Sequence, residues 1–399
     1  MKELKGKYTN AKVFTDNADE GTLEQVQMMI DNEITEGSSV RIMPDCHKGK
    51  GCTIGTTMTI GDKVVPNLVG VDIGCGVLCC EIPRIYVMFE DMLDSVIRSR
   101  IPSGFSIHNS AIARFPKLKD LRCLNDLVNI YNLDIDKVER SIGTLGGGNH
   151  FIEYSRDDDY HYLFIHTGSR NLGKRVCDYY QCKAITNMEG KMSEEKSKIL
   201  SLPEKEREQA LKDFYKVERN YNLAYLEGQD KEDYLHDMMI VQEFANFNRY
   251  VICDEILRGF GIDNATDKFN IIQSIHNYIE EGTHILRKGA ISAYEGQELV
   301  IPINMRDGVI IGKGKGNPDW NYSAPHGAGR VLSRGQAKKT VSMEEYKKSM
   351  EGIYSTCINE STLDECPMAY KPKEEILNNI GDTVEIVKIV KPRYNFKAN

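Results

Sequence analysis

The stretch Val40-Arg41-Ile42-Met43-Pro44-Asp45-Cys46-His47, with Gly70-Val71-Asp72-Ile73-Gly74-Cys75-Gly76-Val77-Leu78-Cys79-Cys80 downstream of it, decides the fold reading. Short apolar runs punctuated by glycine read as strands: residues 41–43, 52–54, 57–60 and 77–80. Working outward, residues 10–36 read as a short helical region, with Leu23, Val26 and Ile30 at i, i+3 and i+7. Helical periodicity returns over 85–100. Residues 193–228 are dense in Lys and Glu, with Leu211, Phe214, Tyr215, Tyr221 and Tyr225 on one helical stripe. A second helix is expected over 232–259, closed by Gly259. Together they read as a helical hairpin inserted in an α/β core. Glycine-rich strands dominate 288–334, then a helix over 343–357 and a closing strand over 383–390. No repeat or linker divides the chain. The expectation is an α+β fold, a single compact domain over 1–399 with 193–260 as a helical insertion.

Composition narrows the function. The chain has 399 residues, 51 Lys and Arg against 59 Asp and Glu, and a net charge of −8. Proteins that coat nucleic acid by bulk charge are strongly basic, so any RNA contact here belongs to a local groove with a modest salt dependence. With 41% hydrophobic and 28% charged residues the chain is globular. No apolar run approaches the roughly 18 residues of a membrane span. The start, Met-Lys-Glu-Leu-Lys-Gly-Lys-Tyr, has no secretion signal. Eleven scattered cysteines read as reduced thiols, so a cytoplasmic protein is expected. Cys79, Cys80, Cys177 and Cys182 read as small buried hydrophobes.

Five of the nine histidines sit in polar, glycine- or asparagine-rich segments: His47, His150, His166, His276 and His326. One such segment means little, but five of them beside an Asp-x-x-Cys call for a site. Asp72 and Cys75 lie three apart in a turn that three glycines allow to bend sharply. A thiolate can bridge two metal ions while a carboxylate and neutral imidazoles complete them. A glycine-rich turn with an ordinary buried cysteine is the competing reading. His166 ends the apolar run 162–165, and Thr-Gly-Ser-Arg then opens a helix near Lys174, an arrangement suited to an anion at Arg170. The Gly146-Gly147-Gly148 run permits close backbone approach to a phosphate, or simply a tight turn. Arg330 and Arg334, four apart beside His326, are expected on one helix face as a clamp for phosphates. A neutral imidazole beside arginines and a metal is a good nucleophile toward phosphorus; a capping histidine with two surface arginines is the alternative.

These motifs, taken in order, resemble the RtcB-type RNA ligases. The resemblance runs from about Val40 to the C-terminus. It is carried by Met43-Pro44-Asp45-x-His47-x-Gly49-x-Gly51, residues 70–77, 146–153, 166–173, His276-Asn277, Arg287-Lys288-Gly289-Ala290 and His326-Gly327-Ala328-Gly329-Arg330 with Arg334. It implies an RtcB-like domain around a central metal site, and a GTP- and manganese-dependent enzyme. Such an enzyme joins a 3′-phosphate or 2′,3′-cyclic phosphate RNA end to a 5′-hydroxyl, in RNA repair or tRNA splicing. GMP is first carried on the histidine here numbered His326, then passed to the RNA 3′-phosphate and expelled by the 5′-hydroxyl.

Carried over by position, Asp72, Cys75, His150, His166 and His276 would hold two Mn2+ ions, with Cys75 bridging them. Asn149, Glu153, Asn277, Gly327, Ala328, Gly329 and Lys397 would line the guanylate site. Arg170, Arg330 and Arg334 would hold phosphates of GTP or RNA. An archease-like activator is the further partner the resemblance allows. The chain departs from the family at 302–309, where Asn304 and Met305 stand in the nucleotide pocket in place of a Ser-Met-Gly-Thr-Ala-Ser-type stretch. By ligand softness a thiolate with imidazoles favours zinc or copper, so manganese comes from the resemblance alone. Two other readings stay open: a metal-dependent RNA-end phosphoesterase that no longer ligates, and a non-catalytic RNA-end binder.

Overall fold

The computed structural model of the protein describes residues 1–49, 51–217 and 219–398. The glycine-punctuated stretch becomes the strands Val40–His47, Ile54–Thr59 and Gly76–Pro83. The first two join a six-stranded sheet in the order Lys2–Lys5, Asn10–Val13, Val40–His47, Ile54–Thr59, Ile285–Lys288, Asn277–Ile279. Its one parallel pairing sets Asn10–Val13 beside Val40–His47. The third enters a five-stranded sheet, all antiparallel, in the order Pro392–Lys397, Phe151–Arg156, Tyr160–Thr167, Gly76–Pro83, Asn270–Ile275. A three-stranded sheet (Glu298–Asn304, Gly308–Gly314, Val384–Val390) and a two-stranded ladder (Ala290–Ser292, Ser323–Pro325) complete the β structure.

The strands of the five-stranded sheet read as continuous apolar runs because both faces are covered. Leu78, Cys80, Leu163 and Ile165 pack on one side against Ile252, Cys253 and Ile256. Val77, Cys79, Tyr162 and Phe164 pack on the other against Val300, Val309 and Ile311 of the three-stranded sheet. Each such large side chain, fully buried, contributes about 1.5–3 kcal/mol. The chain passes between the two large sheets at His276, which sits between Asn270–Ile275 in one and Asn277–Ile279 in the other.

The helices depart from the sequence reading in extent. Residues 10–36 hold a strand, Asn10–Val13, before the helix Glu20–Ile30, which Asp19 caps by accepting from Thr22 N at 3.0 Å. Helical structure does not begin at 193: one helix runs Arg170–Leu200, followed by Glu204–Lys216 and Gly228–Arg258. The Lys/Glu-rich sequence marks the exposed end of the first helix and the whole of the second, while the earlier half of the first buries Leu172, Val176, Cys177, Tyr180 and Ala184. The expected aromatic stripe breaks up because the second helix ends at Lys216. Phe214 is buried, whereas Tyr215 and Tyr221 are exposed. The last helix buries Tyr234, Met238, Val241, Phe244, Ala245 and Ile252, and so belongs to the core.

Residues 343–357 form a helix only over Met343–Ser349, with a Ser342–Glu345 capping box. A further strand, Pro392–Lys397, follows the expected closing one. Cys79, Cys80 and Cys177 are buried as read, but Cys182 is exposed on the outer side of its helix. Among the described residues no helix is long and apolar enough to cross a membrane.

Candidate active site

The sheet registers assemble the site. His166, near the end of its strand, lies opposite Phe151 on one side and Val77 on the other. The turn before Val77 carries Asp72 and Cys75, and the Cys75 carbonyl accepts from the His276 backbone at 2.9 Å. The loop before Phe151 supplies Asn149 and His150. Five polar side chains from four segments therefore meet at one end of one sheet. Cys75 Sγ lies 3.3 Å from His166 Nε2 and 3.6 Å from His150 Nε2; His150 Nε2 lies 3.3 Å from Asp72 Oδ2, and His166 Nε2 lies 3.4 Å from His276 Nε2. They form two overlapping groups, Cys75–His166–His276 and Asp72–Cys75–His150, each with ligand atoms within 4.8 Å of one another. A Cβ on Gly168 would fall 2.0 Å from Asp72 Oδ1, so only glycine leaves room for that carboxylate.

The donor set fits a metal. The Nδ1 atoms of His150 and His166 face the carbonyls of Leu145 and Asn149 at 2.9 and 3.3 Å, which leaves each Nε2 as the lone-pair atom turned to the cluster. Burial, then the neighbouring imidazoles, pushes His166 and His276 well below the ordinary histidine range, keeping both neutral. Burial and the Asp72 carboxylate push the Cys75 thiol well up. A divalent cation reverses that cost by holding the thiolate directly.

Next to this cluster, with its ring centroid 4.8 Å from that of His276, is His326. Its Nδ1 lies 2.6 Å from Oδ2 of the fully buried Asp45. The same oxygen accepts from the backbone of His326 at 3.2 Å and of Gly327 at 3.3 Å. A carboxylate only accepts, so Nδ1 carries the proton and Nε2 presents its lone pair. Gly329, at φ +75°, fits because a Cβ there would lie 2.2 Å from the Asp45 carbonyl.

Both features open on a cleft of about 1210 Å³, counting its mouth. Of the residues singled out in the sequence, Asp72, Cys75, Asn149, Glu153, His166, His276, Asn277, Asn304, Met305, His326, Gly327, Ala328, Gly329, Arg330, Arg334 and Lys397 line it. His150 stands behind Cys75 and Asp72. Arg170 is not brought to the wall: it donates inward, from Nε to Thr144 Oγ1 and from Nη2 to the Gly104 carbonyl, each at 3.0 Å. Asn304 spends its amide on its own turn, accepting from the backbones of Arg306 and Asp307 at 3.0 and 2.9 Å.

Arg330 and Arg334 do not share a helix face. The strand Ser323–Pro325 precedes His326, and the helix starts only at Arg334, after its cap Ser333. What gathers the cations is a buried carboxylate, Glu365: Lys397 Nζ lies 2.7 Å from it, Arg330 Nη1 3.1 Å, Arg334 Nη2 3.5 Å, and the Tyr370 hydroxyl donates at 2.5 Å. Burial raises the Glu365 pKa, but Lys397, Tyr370 and Arg330 outweigh it and hold the carboxyl below its ordinary value. Glu153, opposite Asn395 in the register, has the reverse balance: burial dominates the contacts from Asn395 and Ser155 and pushes it up to about 8.

Sequence reading gave no role to Asp45, Glu365, Tyr370, Asn395 or His47, which also lines the cleft. Asp45 and His47 lay inside a quoted motif, so their signal was present. Glu365 and Tyr370 sit in a stretch with no motif, and only tertiary structure brings them in.

A family model described as "tRNA-splicing ligase RtcB" matches residues 31–398. The RNA-splicing ligase RtcB of Escherichia coli (strain K12) is 30% identical over 386 residues, covering 87% of this chain and 87% of its own. The tRNA-splicing ligase RtcB of Aeropyrum pernix is 26% identical over 435 residues, covering 88% of this chain and 85% of its own.

Proposed function

The chain belongs to the RtcB family of tRNA-splicing ligases, and from that premise we propose that it joins RNA 3′-phosphate or 2′,3′-cyclic phosphate ends to 5′-hydroxyl ends, using GTP, with His326 as the carrier of GMP. It is an RNA ligase of that family, and its substrates are RNA. The observation that carries the finer reading is the Asp45–His326 pair beside the His/Cys/Asp cluster.

Asp45 fixes the ring so that Nε2 attacks the α-phosphorus of GTP and pyrophosphate leaves. As the P–N bond forms, the imidazole gains positive charge that the buried carboxylate balances. The RNA 3′-phosphate oxygen then displaces His326, which makes the P–N bond a transfer bond rather than a resting one. The 5′-hydroxyl attacks the activated 3′-phosphate and GMP leaves. A cyclic end is first hydrolysed to the 3′-phosphate.

Asp72, Cys75, His150, His166 and His276 are the residues that would hold two metal ions, taken as Mn2+ from the family resemblance. Bound there, divalent cations supply charge neutralisation and activation of phosphate oxygens. Glu153, Lys397, Asn149 and Asn277, with the Gly327-Ala328-Gly329 backbone and the 304–305 turn, are assigned to the guanylate. Arg330 and Arg334 are assigned to phosphates, and Arg170 to holding the loop beneath them. The chain acts as one catalytic domain with 193–260 as its helical insertion, and an archease-like activator is its proposed helper.

The test is incubation with α-32P-labelled GTP and Mn2+, comparing the wild type with His326→Ala on a denaturing gel. Label on the wild type and none on the variant is the expected result. An unlabelled wild type that still opens 2′,3′-cyclic phosphates would replace the ligase reading with a phosphoesterase.

A further inference from the structure

Behind the ligand loops, the long helix Gly228–Arg258 presents two adjacent polar residues, Asn248 and Arg249, both fully buried. Burying a guanidinium is costly unless its donors are used. Arg249 Nη1 donates to the carbonyl of Gly74 at 2.9 Å and of Thr167 at 2.7 Å. Its Nε donates to Gln273 Oε1 at 3.1 Å, and Nη2 to Asn246 Oδ1. Gly74 lies inside the Asp72–Cys75 turn and Thr167 follows His166, so one nitrogen ties two ligand-bearing segments together.

Asn248 makes the complementary tie. Its Oδ1 accepts from the backbones of Gly143 and Thr144 at 2.8 and 3.3 Å, and its Nδ2 donates to the carbonyls of Thr144 and Gly168 at 3.1 and 3.3 Å. That joins the segment leading to His150 to the turn after His166. All the acceptors of Arg249 are neutral oxygens. Its positive charge therefore stays available to the Asp72 carboxylate nearby, and to Cys75 whenever it is held as a thiolate.

We propose that Asn248 and Arg249 are positioning residues that hold the Asp72–Cys75, His150 and His166 segments in the mutual geometry a bound metal requires. The inference rests on reading the cluster as a metal site. A helix supplies this tie well, because both residues leave one rigid rod while the segments they join are turns and the end of a strand.

The test is direct metal binding by the full chain. Mn2+ affinity is followed by the electron-paramagnetic-resonance signal of the free ion, and site geometry by the thiolate charge-transfer band of bound Co2+. Arg249→Met, with unchanged far-ultraviolet circular dichroism and a cooperative melt, is expected to bind Mn2+ about 10- to 100-fold more weakly and to alter the Co2+ band. Arg249→Lys keeps the charge but cannot span both carbonyls in the same fork, so it is expected to recover only a minor part of the loss. Should Arg249→Met not fold, Asn248→Ser carries the same expectation.

A folded Arg249→Met variant with wild-type affinity and band overturns the inference and leaves the metal site standing. Full rescue by Arg249→Lys overturns it in favour of a purely electrostatic role. A wild type that binds neither Mn2+ nor Co2+ overturns the metal site itself, and the inference with it.

Discussion

At one end of the cleft, Cys75, His166 and His276 bring three buried donor atoms within 4.8 Å. At the other, Arg330, Arg334 and Lys397 close around Glu365. The first group turns a thiol and two imidazole nitrogens toward one another, with the outward-facing nitrogen of His166 tied to a backbone carbonyl. The few protons these atoms share cannot satisfy all of them at once, whereas a cation can accept a lone pair from each, so the group is suited to one. The second group is cationic but carries its own counter-ion, so an arriving phosphate shares the arginines with a carboxylate already present. On the proposed assignment, the His/Cys/Asp cluster would gain stability from a bound metal, whereas the cations around Glu365 are compensated beforehand and would exchange partners on binding a phosphate.

The largest expected effect breaks the first half of that comparison. Cys75 belongs to both overlapping groups, so on the proposed two-ion assignment Cys75→Ala would remove a ligand from each ion. Apparent binding energies of about 10–16 kcal/mol are typical of Zn2+ at structural sites of such ligands, and Mn2+ binds them more weakly. Loss of the shared ligand should weaken Mn2+ binding by more than about a thousandfold and abolish labelling by GTP. Titration calorimetry that finds two ions bound with wild-type affinity would remove Cys75 from the site.

Asp45→Asn separates the nucleophile from the metal. An amide in place of the carboxylate no longer fixes His326 as the Nδ1–H tautomer, nor balances the charge formed at the ring. Guanylylation should fall by about 100- to 1000-fold with Mn2+ affinity unchanged. A parallel loss of metal affinity would mean that Asp45 supports the ligand cluster instead.

Glu365→Gln tests the phosphate end. It leaves Arg330, Lys397 and Arg334 around a neutral amide, and breaking a buried pair from one side typically costs about 3–5 kcal/mol. Urea unfolding should register that loss, and saturating GTP or sulfate should return part of it. An unchanged midpoint would show that solvent already screens the three cations.

How much of this was legible in the sequence depended on which residues were local to a motif. The His/Cys/Asp cluster is readable because His150 and His276 stand beside asparagine and His166 two residues from Gly168, in segments where a core histidine is uncommon, and because Asp72 and Cys75 share a single turn. The strands 40–47 and 76–83 were readable from their bounding glycines. The helix Arg170–Leu200 was misjudged because its buried half is apolar and its exposed half charged, so the pattern changes within one element. Spacing alone puts the arginine pair on a helix, and Gly329 at φ +75° with the Ser333 cap prevents that helix. Glu365 was invisible for a different reason: one acidic residue among three in a short helical turn acquires meaning only when the C-terminal strand lays Lys397 against it.

That last strand also sets the smallest and most particular effect. It places Asn395 opposite Glu153, whose carboxyl is pushed up to about 8 by burial, against an ordinary value of 4.5. Below about pH 4.5 both folded and unfolded chains hold this proton, and the contribution to stability is complete. Between about 4.5 and 8 the unfolded chain releases a proton that the folded one keeps, so stability falls as pH rises; above 8 the slope ends. Glu153→Gln should flatten that part of the unfolding free energy against pH while leaving the rest of the curve in place, and an unaltered slope would contradict the buried neutral carboxyl.

Glu365→Gln sharpens the point. Lys397 favours the charged form of Glu153, and freeing it from Glu365 leaves its charge less compensated. In that background the descending limb should end at a lower pH. The two carboxyls are thus linked through one lysine, and a limb that does not move when Glu365 is neutralised would separate them.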